Sequence, residues 1–192
     1  MPQKKRVAWH IPVGRHRVQL DIQELPAIQG QHGREYKISV IHLRTRIKYS
    51  EIHPTQTSAV IARVLAQAVT RVPPFHLVVT DNAMMFTMAY TAHPQRVTAF
   101  ERMVRHLGLR HWRIPRRAPW RNGFIERSNR TDNEECFHRQ QFVSSEERRY
   151  VHRLWEMSYN TRRPHQGLGG ETPDAVFRRE YARDTNIRLL ML

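Results

Sequence analysis

The sequence predicts an α/β fold, a mixed five-stranded sheet with helices on both faces, and three observations carry that expectation. Five short segments have strand patterning, the segments between and after them repeat apolar residues at helical spacing, and proline or glycine stands at several of the junctions. The resulting order is three strands, a helix, a strand, a helix, a strand and then helices.

In the first strand, Val18, Leu20 and Ile22 alternate with Gln19, Asp21 and Gln23, the period of a half-buried strand, so Asp21 is expected mid-strand on the polar face. Tyr36 to Leu43 and Ile47 to Ile52 are also strand-like, and the residues around Arg44 to Arg46 suggest an antiparallel hairpin. From Ser58 to Thr70, Val60, Ile61, Val64, Leu65, Ala68 and Val69 form one helical stripe, with Thr55, Thr57 or Ser58 available as the cap. Pro73 and Pro74 end that helix. The apolar run Phe75 to Thr80 then delivers Asp81 to the carboxyl edge of the sheet, where sites form in α/β folds.

After a loop containing Pro94, Phe100, Met103, Val104 and Leu107 mark a second helix that Gly108 stops. His111 to Ile114 completes the strands. Pro115 and Pro119 punctuate a basic loop, and Phe124 opens a helix expected to carry Glu126, Arg130 and Asn133 along one face. Further helices are expected near Ser145 to Tyr159 and Pro173 to Tyr181. The organisation is therefore a basic lead-in over 1–13, a core over 14–160 and a carboxy-terminal turn and short helix over 161–192.

Lysine and arginine total 32 against 17 acidic residues, a formal charge of +15, so the natural partner is a polyanion and duplex DNA leads. No apolar run is long enough to span a bilayer and no secretory signal is present, so no membrane role and a cytoplasmic location are expected. Cys136 is the only cysteine, which excludes an internal disulfide and paired-cysteine zinc sites, and the 12 histidines are scattered.

Three acidic residues sit where a sheet edge can gather them: Asp21 inside an apolar strand, Asp81 at the end of another, and Glu126 opening a helix after Asn122-Gly123. Read one by one, they are also a strand acid, a capping acid and a surface acid. Four segments decide between these readings: Val18-Gln19-Leu20-Asp21, Val79-Thr80-Asp81-Asn82, Asn122-Gly123-Phe124-Ile125-Glu126-Arg127, and Tyr159-Asn160-Thr161-Arg162-Arg163-Pro164-His165 with Leu168 and Thr172-Pro173. In their content and order, the chain resembles the catalytic core of insertion-sequence transposases of the retroviral-integrase superfamily, which have a ribonuclease H-like fold. The resemblance runs from about Gly14 to Phe177.

The resemblance implies a polynucleotidyl transferase that cleaves and joins DNA strands in transposition and integration. Asp21, Asp81 and Glu126 would be catalytic and would ligate magnesium, with manganese able to substitute and two ions expected when DNA is bound. It also implies a homodimer or larger assembly on DNA. Arg113, Arg116, Arg117, Arg121, Asn122, Arg127 and Arg130 are the expected DNA contacts, with the arginines favoured over the rings of Trp112 and Trp120. His165 is a weaker candidate, and Trp155 is expected in the core.

The chain departs from the family pattern at Ala83, where relatives usually carry glycine, at His42, where many carry an acid, and in a longer Met84 to Thr98 loop. An amino-terminal helix-turn-helix region is not evident before the first strand, so specific recognition of element ends is expected to be poor. Two other functions fit the composition: a catalytically inactive DNA-binding remnant, and a ribonuclease H-like nuclease acting on hybrids.

Overall fold

A computed structural model describes residues 15–30 and 32–181; the lead-in over 1–13 and the end of the carboxy-terminal segment lie outside the described residues. The strands are β1 (Arg17–Glu24), β2 (Tyr36–His42), β3 (Lys48–His53), β4 (Leu77–Thr80) and β5 (Arg110–Arg113). The helices are α1 (Ser58–Ala68), α2 (Ala99–His106), α3 (Gly123–Glu135), α4 (Ser145–Thr161) and α5 (Pro173–Tyr181). The sheet order is β3-β2-β1-β4-β5, with β1–β2 and β2–β3 antiparallel and β1–β4 and β4–β5 parallel. This is the mixed five-stranded sheet the sequence predicts, with element ends within about two residues of the expected ones.

Alternation divides the strands into two unlike faces. Val18, Leu20, Ile38, Val40 and Val78 form an apolar face with Ile61, Val64 and Leu65 of α1, Phe100 and Val104 of α2, and Phe177 and Tyr181 of α5. Burying each of Ile61, Val64 and Leu65 contributes roughly 1.5–3 kcal/mol. Local signals agree with this packing. The Thr57 hydroxyl caps α1 by accepting the Val60 N–H, and Thr98 with Glu101 forms a capping box on α2. Gly108 stops the chain after α2 with φ +65°, a conformation that costs glycine least.

The other face is polar and equally buried. Gln19, Lys37, Ser39 and Lys48 are at most 1 % exposed, because α3 and α4 cover them. At its centre, Asp132 of α3 accepts the Lys37 ammonium at 2.5 Å, the Lys48 ammonium, and the Trp155 indole N–H at 2.9 Å. The side chains of Asp132, Lys37 and Lys48 have no exposure to solvent. Burial works to raise the Asp132 pKa, but Lys48 and Lys37 more than offset it and hold the carboxyl well below its ordinary range. Lys48 also lies 3.8 Å from the Tyr159 ring centroid, and His152 stacks on Phe137. Trp155 is accordingly packed and bonded, as expected.

Helix α4 closes the open side of β3. Asn160 donates to the Lys48 carbonyl at 2.8 Å and accepts the Lys48 N–H at 3.0 Å, reproducing a strand partner at an edge that would otherwise be unpaired. One turn earlier, Glu156 accepts the Ser50 hydroxyl. His165, weighed above as a possible contact, is 8 % exposed and bonds the Tyr159 carbonyl, so it joins the turn to α4. Among the described residues, no helix is long and apolar enough to cross a membrane.

His42 is fully buried; its Nε2 bonds the Arg15 carbonyl at 2.8 Å and its Nδ1 accepts the Thr45 N–H at 3.3 Å. Burial pushes its pKa down from 6.5 to about 4, so it is neutral in the fold. The unfolded chain binds the proton first as pH falls through that window, so stability is lost on acidification. Between pH 7 and 5 the wild type is expected to lose about 2 kcal/mol more than His42→Gln, as read by urea unfolding at each pH. Equal losses would mean that His42 protonates in place.

Candidate active site

The parallel register of β1 and β4 pairs Gln19 with Val79, and carrying it two residues further sets Asp21 level with Asp81. Adjacent strands lie about 4.8 Å apart, so the two carboxylates are neighbours on the polar face. Helix α3 runs along that face in the direction of β1, joined to it by three rungs. The Gln19 amide donates to the Arg121 carbonyl at 2.7 Å and accepts the Ile125 N–H at 2.9 Å. Asn129 donates to Asp21 at 2.8 Å, and Gln23 donates to Asn133 at 2.8 Å. The match is metric: two strand residues advance about 6.6 Å and four helix residues about 6 Å.

Asn129 and Asn133 face β1, and Glu126, seven residues before Asn133 and within about 20° of it around the helix, lies with Arg130 on the exposed margin of the same face, as the sequence predicts. Glu126 thereby stands in the first turn, one residue past the amide that Gln19 holds. Replacing Gln19 by leucine leaves the Ile125 N–H and the Arg121 carbonyl unpartnered in a buried place. The expected result is a stability loss of about 2–4 kcal/mol, with faster hydrogen exchange at the Ile125 amide. Unchanged exchange there would show that α3 is held by other contacts.

Electrostatics identify Asp21 as the strained member. Burial, opposed by the Ile22 N–H and reinforced by the charges of Asp81 and Glu126, pushes its pKa up to about 6. Asp81 accepts the Ala83 N–H at 3.0 Å, closing a turn at the end of β4. Ala83 does not have positive φ, so the turn does not require glycine there. Asn82 ties the same turn to β5 through the Ile114 carbonyl at 2.8 Å. Among the described residues, no three acidic, histidine or cysteine side chains converge tightly enough to hold an ion as they stand. One oxygen of Asp21 is engaged by Asn129 and one of Asp81 by Ala83, while Glu126 is exposed. The donors are all carboxylate oxygens, a set that suits a hard divalent cation.

The expected DNA contacts divide. Arg116, Arg117, Arg127 and Arg130 are exposed, the first two on the loop before α3 and the others on α3 itself. Arg113 is half-buried and donates to Thr87 at 2.8 Å, and the half-buried Arg121 lies 5.6 Å from the Trp112 ring. Asn122 is 4 % exposed, so its side chain lies inside the turn rather than on the surface where a DNA contact was expected. Trp120, passed over in favour of the arginines, is 70 % exposed in the 3-10 turn Pro119–Asn122. Nearby, Tyr90 of the long loop is half exposed, with the Arg116 guanidinium 4.3 Å from its ring. The sequence signal for Trp120 was its interleaving with arginine, from which exposure could not be read; nothing in the sequence singled out Tyr90.

Residues 107–173, which include β5, the basic loop, α3 and α4, match the family model of the integrase core domain. Beyond that stretch, the chain shares its fold with integrase catalytic cores. The core is similar in fold to the catalytic core domain of BIV integrase, with a TM-score of 0.64 at 19% identity over 88% of this chain and 97% of that one. It is also similar to the HTLV-2 integrase catalytic core domain in complex with magnesium, with a TM-score of 0.66 at 12% identity over 84% and 95%. A chain of the simian T-cell lymphotropic virus intasome matches with a TM-score of 0.67 at 15% identity over 84% of this chain. This core spans only 54% of that intasome chain. No curated protein sequence matches it.

Proposed function

We propose that this integrase-type core cleaves and joins DNA strands as the catalytic part of a transposase, with Asp21, Asp81 and Glu126 as its carboxylates. The observation that carries the reading is electrostatic: Asp21 is raised to about 6 by burial together with Asp81 and Glu126. The charges of Asp81 and Glu126 both act against ionised Asp21, and a divalent cation held by the three would offset that repulsion. Magnesium, with manganese as substitute and two ions expected on DNA, would polarise the scissile phosphate and favour the entering and leaving oxygens.

The chain's own residues prepare that edge. Asn129 orients Asp21, the Ala83 amide orients Asp81, and Gln19 fixes the start of the helix that carries Glu126. Arg116, Arg117, Arg127 and Arg130 supply exposed positive charge around the carboxylates for the DNA phosphates, and Trp120 offers a ring on which a base can stack. Duplex DNA is the proposed partner, bound by a dimer or larger assembly.

The test is a strand-nicking and strand-transfer assay on duplex DNA with magnesium or manganese, comparing the wild type with Asp81→Asn. Activity that disappears with chelator and in the variant supports the reading. Equal inactivity of both would favour a DNA-binding remnant. Preferential cutting of the RNA strand of a hybrid would favour a ribonuclease H-like nuclease.

A further inference from the structure

We propose that Tyr90, on the long loop between β4 and α2, is a positioning residue that presets Arg116 as a clamp for one DNA phosphate near Asp81, a step that rests on the reading of duplex DNA as the partner. The Arg116 guanidinium lies 4.3 Å from the centre of the Tyr90 ring and that of Arg113 lies 5.7 Å from it. Both distances are within the reach of the attraction between a cation and a ring face. An aromatic face holds a guanidinium without accepting a hydrogen bond from it, so the N–H donors of Arg116 stay available for a two-pronged contact with a phosphate. Arg113 is partly committed, since it donates to Thr87 at 2.8 Å. Among the described residues neither arginine meets a carboxylate, so two like charges are gathered at one half-exposed ring with no anion between them.

Both sides of the contact are built to stay in place. Tyr90 sits in a turn in which Thr91 donates its N–H at 3.0 Å and its hydroxyl at 2.8 Å to the Met88 carbonyl. Three residues before Tyr90, the buried Thr87 ties the loop to the end of β5 through Arg113. Opposite, Pro115 to Ala118 form a turn closed by the Ala118 N–H on the Pro115 carbonyl at 3.2 Å, and Arg117 within it has φ +58°. A residue other than glycine keeps that conformation only where its surroundings impose it. Here the Tyr90 ring holds the residue before Arg117, and Ala118 after it is buried. The sheet sets where this turn lies: Arg113 pairs with Thr80 in the β4–β5 register, one residue before Asp81, and Asn82 bonds the Ile114 carbonyl.

Fluorescence anisotropy of a labelled duplex with the full chain, without metal and over a salt series, tests the assignment. Tyr90→Ala is expected to weaken binding by about fivefold and Arg116→Ala by about tenfold. The double variant should bind no worse than Arg116→Ala, because the ring then has nothing to position. Tyr90→Phe should bind like the wild type, since the ring and not the hydroxyl makes the contact. The salt slope should fall by about one for Arg116→Ala and stay unchanged for Tyr90→Ala, which removes no charge. Additive losses would mean that Tyr90 meets the DNA itself, and a Tyr90→Phe as weak as Tyr90→Ala would put the hydroxyl in the contact; either result overturns the proposal. Binding indifferent to Tyr90→Ala sinks the proposal alone, whereas a wild type that does not bind duplex DNA sinks the reading of the partner with it.

Discussion

Asp81→Asn should lower divalent-ion-dependent strand cleavage by about 1,000-fold or more, while fold and DNA affinity stay near wild type. The size follows from what the substitution removes. An amide keeps the shape of the side chain and can still accept the Ala83 N–H, so the turn at the end of β4 survives. The negative charge that would bind a divalent ion is lost, and about 4 kcal/mol of transition-state stabilisation corresponds to that factor in rate. Stability should not fall, since the variant removes a charge that repels Asp21. Affinity for DNA without metal should rise slightly, because one carboxylate no longer opposes the phosphates. Single-turnover nicking with manganese and a filter-binding series would measure both quantities. A variant cutting within tenfold of wild type would show that Asp81 is not a ligand in the reaction.

Asp132→Ala should be the most damaging substitution for folding, costing about 3–5 kcal/mol in urea unfolding. It leaves the ammonium groups of Lys37 and Lys48 buried without their counter-charge and removes the acceptor of the Trp155 indole. A domain of this size has a total stability of roughly 5–15 kcal/mol, so much of the population could unfold. The gap between wild type and variant should also narrow as the two are compared at lower pH. Asp132 has a depressed pKa, so its contribution is present above the ordinary carboxylate range and fades on acidification below it. Replacing all three groups together, as Lys37→Met, Lys48→Met and Asp132→Leu, should restore most of the stability, since no charge is then stranded. A cost below about 1 kcal/mol for Asp132→Ala would show that water reaches the two lysines.

These two sites differ in how far they could be read from the chain alone. Alternation in β1, the stripe of α1 and the proline and glycine stops are local patterns, so the strands and helices follow from residues close in sequence. Asp21, Asp81 and Glu126 stood out as candidates only through the four family segments, because each read alone also fits a strand, capping or surface acid. What the chain alone determined was therefore the order of elements, the basic character of the surface and the three acidic candidates.

The tertiary structure decided everything that depends on a second face. Lys37, Lys48 and Asp132 have the composition of solvent-facing positions, and only the laying of α3 and α4 over the polar side of the sheet turns them into a buried network. The same packing aims Asn129 and Asn133 at β1, sinks Asn122 into its turn and leaves Trp120 in solvent. It also leaves Tyr150, Leu154 and Met157 outside, although their helical spacing alone would suit a core. The physical reason is that periodicity reports that a face exists, whereas which side is dry is set by elements distant in sequence that pack on it, as Asp132 does on Lys37 and Lys48.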